Sequence, residues 1–218
     1  MEIVNIILRD TVDVPSHLKH EKIEWIKVQS TENCLIWKDN LLSYLPAKTN
    51  QNNELPIMFD FSSKLKYHAS RHYNLKKELL AKALGINQQN SLTVIDGSLG
   101  TGKDAMLILS FGAKVVGHER NPIVYSLLQD AMMQAQVGRD GPFLKENLKL
   151  HLSNCHRIEL LDKGKDQVFY FDPMFKKMKH KSKSKKDMEI FKYLVGADED
   201  YIDVLEWAME QKFSRVVL

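Results

Sequence analysis

The segment VIDGSLGTGKDA, residues 94–105, joins an apolar β-branched run to a helical pattern through a turn rich in glycine. Gly100 and Gly102 lie in this turn, and Asp96 ends the run before it. Because glycine has no Cβ, such a turn lets the backbone approach a ligand closely at the carboxyl edge of a sheet. The segment therefore predicts a small-molecule site, although the same glycines are also typical of a tight turn without a ligand.

Two kinds of ligand suit this loop. Gly97, Gly102 and Lys103 match the GxxxxGK part of a phosphate-binding P-loop, but Asp104 replaces the Ser or Thr that would ligate magnesium, and its carboxylate would repel phosphates. The alternative is a nucleoside pocket in which Glu119, at the end of the next apolar run, holds ribose hydroxyls. NAD and S-adenosylmethionine both fit such a pocket. The loop carboxylates favour the latter, which is cationic and carries no phosphate.

A second candidate site is the turn Asp172-Pro173-Met174-Phe175, directly after the apolar run QVFYF. It resembles the [D/N/S]-P-P-[Y/F/W] motif of amino-methyltransferases, with Met174 in place of the second proline. An acid and a backbone carbonyl that accept hydrogen bonds from an exocyclic amine would aim its lone pair at a methyl group, while an aromatic ring stacks on the base. The turn predicts Asp172, Pro173 and Phe175 as catalytic residues, and is also compatible with a plain strand-to-loop turn.

The segment KKMKHKSKSKK, residues 176–186, contains seven lysines and no acidic residue. A block of this kind is most often solvated. Its position after the proposed base pocket, however, favours contact with phosphates that flank a target nucleotide. We expect RNA contacts from this segment and from a second basic cluster at residues 64–77; the residues assigned to RNA are Lys176, Lys177, Lys179, Lys181 and Arg71.

Alternating strand and helix patterns must position these sites. From about residue 61 the periodicity predicts strands at 92–96, 113–119, 148–153, 167–172 and 213–218, with helices at 76–85, 103–112, 121–136, 185–196 and 198–211. Such alternation predicts a doubly wound, mostly parallel α/β sheet with helices on both faces. Residues 1–60 carry shorter apolar runs (IVNIIL, IEWIKV, CLIW and PIMFDF) and predict a small N-terminal α/β subdomain, which leaves 61–218 as the main domain.

Composition excludes several classes of protein. The 218 residues carry 31 Lys+Arg and 28 Asp+Glu, a net charge of +3, and are 44% apolar, which is ordinary globular composition and not that of a disordered chain. Cys34 and Cys155 form neither a disulfide framework nor a CxxC zinc motif. The N-terminal residues lack the pattern of a signal peptide, and no apolar run approaches the ~20 residues of a membrane span. We therefore expect a cytoplasmic protein without a membrane segment or a metal.

The loop VIDGSLGTGKDAMLILSFGAKVVGHERNP, the turn FYFDPMF and the segment KKDMEIFKYLVG together resemble the ribosomal RNA small subunit methyltransferase J family. The resemblance covers about residues 55–218. It implies a Rossmann-like class I enzyme that uses S-adenosylmethionine to methylate the N2 amine of a guanosine in 16S rRNA, with 16S rRNA or the small ribosomal subunit as partner. The family's sequence continues past the residues that match RVV, so the resemblance also implies that C-terminal strands are truncated here.

By matching positions, the resemblance assigns cofactor contacts to Lys103, Asp104, Glu119, Arg120, Asn154, Cys155 and Asp172. The residues themselves add Asp96, Gly100 and Gly102 to this set. Lys103 stands where the family usually has arginine, and Asn154-Cys155 replaces a Ser-Ser pair. Two alternatives stay open from the sequence: methylation of another amine (adenine N6, cytosine N4 or a protein glutamine), and a non-catalytic RNA-binding protein that keeps a relic nucleoside pocket.

Overall fold

The protein is described by a computed structural model. The described residues are 4–8, 13–27, 33–46, 56–87, 91–138, 140–157, 166–174, 194–196 and 198–218. Phe175, the lysine-rich segment 176–186 with its four assigned RNA contacts, and most of the helix expected at 185–196 lie outside these ranges.

The N-terminal part forms a four-stranded sheet. Its strands are β1 (Val4–Leu8), β2 (Ile23–Lys27), β3 (Cys34–Lys38) and β4 (Leu41–Leu45), in the order β2-β1-β3-β4. Asp39 and Asn40 join β3 to β4 with φ values of 52° and 63°, a two-residue connection whose left-handed backbone matches the twist of a hairpin. The last apolar run, PIMFDF, contributes a single bridge between Ile57 and Tyr44 rather than a strand.

The C-terminal sheet has five parallel strands. They are β5 (Thr93–Asp96), β6 (Lys114–Glu119), β7 (Leu148–Leu152), β8 (Gln167–Tyr170) and β9 (Arg215–Val217), in the order β7-β6-β5-β8-β9. The chain runs outward from β5 to β7 and then returns to pair β8 on the other side of β5. This reversal opens a crevice at the carboxyl ends of the central strands, where ligands bind in open α/β sheets.

Six α-helices are described: α1 (Phe61–Ala69), α2 (Leu79–Leu84), α3 (Lys103–Ser110), α4 (Pro122–Val137), α5 (Gly141–Asn147) and α6 (Tyr201–Glu210). Local chemistry explains several ends. The Asp60 carboxylate accepts from the Ser63 amide at 2.9 Å and begins α1, while Asn121 with Pro122 begins α4. Gly85, at φ +75°, ends α2 as expected from the sequence. The sequence did not predict α5.

The two faces of the C-terminal sheet are covered by different helices. Val94 and Val168 lie in the larger core with residues of α3 and α4, whereas their neighbours Ile95 and Phe169 pack with α6. Alternate strand residues point to opposite faces. The expected doubly wound, parallel α/β sheet is therefore confirmed, and α6 lies on the face opposite α3 and α4.

The larger core continues into the N-terminal sheet. It includes Ile6, Leu35 and Leu42 together with residues of α1, α3 and α4. Asp130 of α4, which is 2% exposed, accepts from the Leu42 amide at 2.9 Å and lies 3.2 Å from Nε2 of His17. The division at residue 60 therefore crosses a continuous hydrophobic core. Within the described ranges, no helix combines the length and apolar character needed to cross a bilayer.

Candidate active site

A cleft lies at the carboxyl ends of β5, β6, β7 and β8, at the reversal of strand order. Its walls come from four loops that follow these strands and from the segment before α6. The lining residues are 97, 98 and 100 after β5, 118–120 at the end of β6, 153–156 after β7, 171, 172 and 174 after β8, and 195, 198, 200 and 204. The cleft therefore brings the glycine loop and the Asp-Pro turn, which are over 70 residues apart in sequence, into one site.

The glycines of the loop have different roles. A Cβ on Gly97 would lie 2.8 Å from Cζ of Phe169, and Gly100 has φ +55°, so both line the cleft in positions that exclude or disfavour a side chain. Gly102 has φ +68°, and a Cβ there would lie 2.7 Å from Cε1 of Phe61 in α1. Gly102, which we expected to contact the cofactor, is not among the residues that line the cleft, and its lack of a Cβ allows α1 to pack against the loop.

Glu119 holds the loop against β6. Its Oε2 accepts from the Gly100 amide at 3.1 Å and its Oε1 accepts from the Asn121 amide at 2.7 Å. The carboxyl group is 5% exposed, and this burial raises its pKa to about 7. Each carboxylate oxygen has a further lone pair, so Glu119 can still accept from a ligand. It lines the cleft at the position expected for a ribose contact.

Asp96, the last residue of β5, stabilises the glycine loop through a hydrogen bond. Its Oδ1 accepts from the Ser98 amide at 3.0 Å, and its side chain is 1% exposed. Burial first, and then the charges of Asp104, Glu119 and Asp172, raise its pKa to about 7. Asp96 does not line the cleft. Its carboxyl group fixes the turn in which the cleft-lining backbone lies.

The Asp172 turn is attached directly to the glycine loop. The amide of Asp172 donates to Oγ of Ser98 at 2.7 Å, and the amide before it, of Phe171, donates to the Val217 carbonyl at 3.0 Å. The Asp172 side chain is exposed. Partial burial raises its pKa, and the charges of Asp104 and Asp198 add to this effect. The backbone of the turn is therefore fixed while its carboxylate faces the cleft opening.

A carboxylate that the sequence did not single out joins two sides of the cleft. Oδ2 of Asp198 accepts from the Met174 amide at 2.6 Å, and Oδ1 is ion-paired with Nη2 of Arg120. Nη1 of Arg120 donates to Oδ1 of Asp200 at 2.7 Å. Arg120, assigned to the cofactor by resemblance, is thus held by two carboxylates at the cleft edge. Asp198 and Asp200 lie at the start of the helix expected at 198–211, and no motif in the sequence marks them as site residues.

The loop after β7 contributes Asn154 and Cys155 to the cleft, as expected. Burial raises the pKa of the Cys155 thiol to about 12, so this group stays protonated and unreactive. His118 also lines the cleft, where its Nδ1 lies 2.9 Å from Oγ of Ser153; burial lowers its pKa to about 4, so it is neutral. In the described part of the chain, no three His, Cys, Asp or Glu residues group as metal ligands.

Lys103 and Asp104 do not line the cleft. Lys103 is exposed at the start of α3. Oδ2 of Asp104 accepts from the Tyr170 hydroxyl at 3.0 Å, which directs this carboxylate towards β8 rather than into the cleft. Of the expected cofactor contacts, the cleft gathers Gly100, Glu119, Arg120, Asn154, Cys155 and Asp172, and leaves out Asp96, Gly102, Lys103 and Asp104.

The charges around the cleft fit S-adenosylmethionine. Four carboxylates line it (Glu119, Asp172, Asp198 and Asp200), and Arg120, the one Lys or Arg among the described lining residues, is paired with two of them. A ligand with ammonium and sulfonium charges would stabilise these carboxylates, whereas the phosphates of ATP or NAD would be repelled. The cleft therefore lacks the cationic environment that the phosphates of a P-loop ligand need.

Comparisons with known proteins agree with this chemistry. A family model described as a putative SAM-dependent methyltransferase matches residues 19–218. The ribosomal RNA small subunit methyltransferase J of Pseudoalteromonas translucida is 34% identical over 191 residues, which cover 87% of this chain and 75% of the relative. That of Buchnera aphidicola is 31% identical over 201 residues, 90% of this chain and 80% of the relative. The crystal structure of a SAM-dependent methyltransferase from Neisseria gonorrhoeae, 21% identical, has the same fold, with a TM-score of 0.63 over 95% of this chain and 81% of that one.

Proposed function

Because this chain belongs to the ribosomal RNA small subunit methyltransferase J family and uses S-adenosylmethionine, we propose that it methylates the exocyclic N2 amine of a guanosine in 16S rRNA. The observation that carries the proposal is the 2.7 Å hydrogen bond from the Asp172 amide to Oγ of Ser98. It fixes the turn that would receive an amine against the loop that would hold the cofactor. We further propose a cytoplasmic reaction on the small ribosomal subunit.

The cofactor would lie along the cleft residues Gly100, Glu119, Arg120, Asn154 and Cys155. When bound, S-adenosylmethionine supplies a methyl group on a positively charged sulfur. Glu119 offers the lone pairs of a buried carboxylate to ribose hydroxyls. Its two backbone partners hold these lone pairs in place, so little reorganisation is needed when the ligand arrives.

Asp172 and the Pro173 carbonyl would receive the target amine. Both accept hydrogen bonds, so together they orient the two N–H groups and aim the nitrogen lone pair towards the cofactor side of the cleft. The raised pKa of Asp172 suits it to take the proton that the amine loses after transfer. Phe175, next in sequence, is proposed to stack on the base, and lies outside the described residues. We also retain Lys176, Lys177, Lys179, Lys181 and Arg71 as proposed phosphate contacts.

The experiment follows the methylated product. Small subunits that lack the modification are incubated with this chain and tritium-labelled S-adenosylmethionine, and the RNA is digested to nucleosides. We expect label in N2-methylguanosine, and loss of nearly all label with Asp172→Ala. Asp203→Ala, an exposed carboxylate in α6, is the matched control and should retain activity. Label in N6-methyladenosine or N4-methylcytidine would contradict the guanine assignment, and absence of any label would contradict the proposed activity.

A further inference from the structure

An exposed tyrosine and an arginine stack on each other at the end of α1. Tyr67 is 53% exposed, and Cζ of Arg71 lies 4.6 Å from the centroid of its ring. The amide of Arg71 donates to the His68 carbonyl at 3.0 Å, which turns the chain tightly after the helix and returns the guanidinium over the ring. An exposed ring backed by a guanidinium is a flat, cationic surface of the kind on which nucleic acid bases stack.

The surroundings of this pair are strongly basic. Residues 61–77 contain five Lys or Arg residues and no Asp or Glu. Some of these cations interact electrostatically with His68 of α1. The pKa of His68 is lowered first by its burial and then by the cations Arg71, Lys103 and Lys64. Lys103, which is exposed and does not line the cleft, therefore adds its charge to the face of α1. This face attracts a polyanion.

The basic face borders the proposed target site. Nζ of Lys64 donates to the Thr101 carbonyl at 2.7 Å, so α1 is attached to the glycine loop. Oδ2 of Asp104 accepts from the Tyr170 hydroxyl at 3.0 Å, which places the start of α3 beside the strand that leads to Asp172, and the charge of Asp104 also raises the pKa of His68 in α1. Tyr67 precedes His68 in the same helix. A strand that enters the cleft at Asp172 can therefore continue past the start of α3, where Lys103 is exposed, onto the face of α1.

We propose that Tyr67 and Arg71 form a stacking platform for an unpaired nucleotide close to the target guanosine, with Lys103 holding a phosphate beside it. This platform rests on the proposed function, because it describes where the RNA substrate runs after it leaves the cleft. Stacking requires a base that is splayed from its helix, so the platform selects single-stranded or loop RNA. It provides no contact to base edges and therefore tolerates different bases at this position.

The test compares Tyr67→Ala, Tyr67→Phe and Arg71→Ala with Lys212→Ala as the matched surface control. Lys212 is exposed and follows α6, on the opposite face of the sheet. With unmodified small subunits as substrate, we expect Tyr67→Ala to raise KM about tenfold, within the range for loss of one base–aromatic stack. Tyr67→Phe keeps the ring and should restore the KM. The value of kcat and the affinity for S-adenosylhomocysteine should stay the same in all four variants.

Salt dependence separates stacking from charge. The affinity of each variant for the small subunit is measured by filter binding between 50 and 300 mM salt, without cofactor. Lys103→Ala removes the proposed phosphate contact and Arg71→Ala removes the cation beside it, so each should reduce the slope of log K against log salt by about 0.7, the value for single strands. Tyr67→Ala should weaken binding by the same factor at every salt concentration, because stacking releases no counterions.

The outcomes distinguish this inference from the proposed function. If the chain transfers no methyl group but Tyr67→Ala still weakens binding to the subunit and Tyr67→Phe does not, the platform stands and the activity fails. If methyl transfer occurs and Tyr67→Ala leaves both KM and subunit affinity unchanged, the activity stands and the platform is wrong. Failure of the wild-type chain to bind the subunit, or equal effects of Tyr67→Ala and Tyr67→Phe, would also overturn the platform.

Discussion

Asp198 and Met174 are joined by two hydrogen bonds. The Met174 amide donates to Oδ2 of Asp198 at 2.6 Å, and the Asp198 amide donates back to the Met174 carbonyl at 2.9 Å. The remaining oxygen of the same carboxylate is paired with Arg120, the residue after Glu119. One side chain therefore connects the proposed cofactor wall to the turn proposed to receive the amine.

Replacing Asp198 should slow transfer more than it weakens cofactor binding. Asp198→Ala removes the acceptor of the Met174 amide, and a half-buried donor that loses its partner costs at most the ~1–3 kcal/mol of a fully buried one. We expect the turn at Asp172 to lose its fixed position and the single-turnover rate to fall about tenfold or more. The affinity for S-adenosylhomocysteine, measured by calorimetry, should change less than about threefold, because Arg120 keeps Asp200.

Two variants control this prediction. Asp198→Asn keeps an acceptor oxygen but loses the charge, so its rate should lie between those of wild type and Asp198→Ala. Asp203→Ala should behave as wild type. A loss of cofactor affinity as large as the loss of rate would show that Asp198 acts on the cofactor side alone.

The acidic groups of the cleft should make stability depend on pH. Burial raises the pKa of Glu119 to about 7, so the folded protein binds a proton that the unfolded chain has already lost at pH 5–7. The contribution of Glu119 to the free energy of unfolding therefore decreases as pH rises from about 4.5 to 7 and is constant above that range. Glu119→Gln removes this titration.

The measurement is urea unfolding of wild type and Glu119→Gln between pH 4.5 and 8.5. The wild-type free energy of unfolding, minus that of the variant, should decrease with pH up to about 7 and then level off. The loss of a hydrogen-bond acceptor in the variant does not depend on pH, so it shifts this difference by a constant amount and leaves its trend with pH unchanged. A difference that increases with pH would mean that Glu119 is stabilised as the carboxylate in the folded protein.

Gly102 and Gly112 offer a matched pair for the packing of α1 on the glycine loop. Both have a left-handed backbone, at φ +68° and +91°, but an added Cβ at Gly112 meets no atom within 4 Å, whereas at Gly102 it meets Phe61. Gly112→Ala should cost about 1 kcal/mol of stability through backbone strain alone. Gly102→Ala should cost about 1–3 kcal/mol more through overpacking. Equal losses in thermal or urea unfolding would show that Phe61 moves aside freely.

The charges of the cleft predict which nucleotides bind. By calorimetry at constant salt, S-adenosylhomocysteine should bind at one site, while ATP and NAD should not bind measurably, because their phosphates would face Glu119, Asp172 and Asp198. Adenosine alone should bind more weakly than S-adenosylhomocysteine. Saturable binding of ATP alone would restore the P-loop interpretation of Gly97, Gly102 and Lys103.

The parallel C-terminal sheet and the edge at which the cleft lies could be predicted, because both follow from periodicity and chain direction. Strand patterns alternating with helices fix a parallel sheet, and parallel strands bring their carboxyl ends to one edge. Glu119 and Asp172 were identified because each lies at the carboxyl end of a strand. The hairpin at Asp39 and Asn40 was missed because β4 was not recognised as a strand, although an Asp-Asn pair is compatible with such a turn.

Other parts of the site depend on contacts that sequence does not show. Asp198 lies 24 residues after Met174, and only the folded chain brings its carboxylate to that amide. Gly102 and Lys103 belong to the glycine-rich motif in sequence. In the structure they lie at the start of α3, next to α1, and do not line the cleft. The short helix α5 was not anticipated, because its seven residues are too few to establish a period.

The carboxyl group of Asp130 links the two sheets and so affects how they unfold. It is buried in α4, a helix next to the C-terminal sheet, and yet it accepts its hydrogen bond from Leu42 of the N-terminal sheet. Peeling the N-terminal strands away would break this hydrogen bond and expose to water the apolar side chains that the two sheets bury together, such as Ile6, Leu35 and Leu42. Partial opening is therefore penalised, and the two sheets should melt as a single cooperative unit, so that heat or a protease acting on one of them unfolds the other as well.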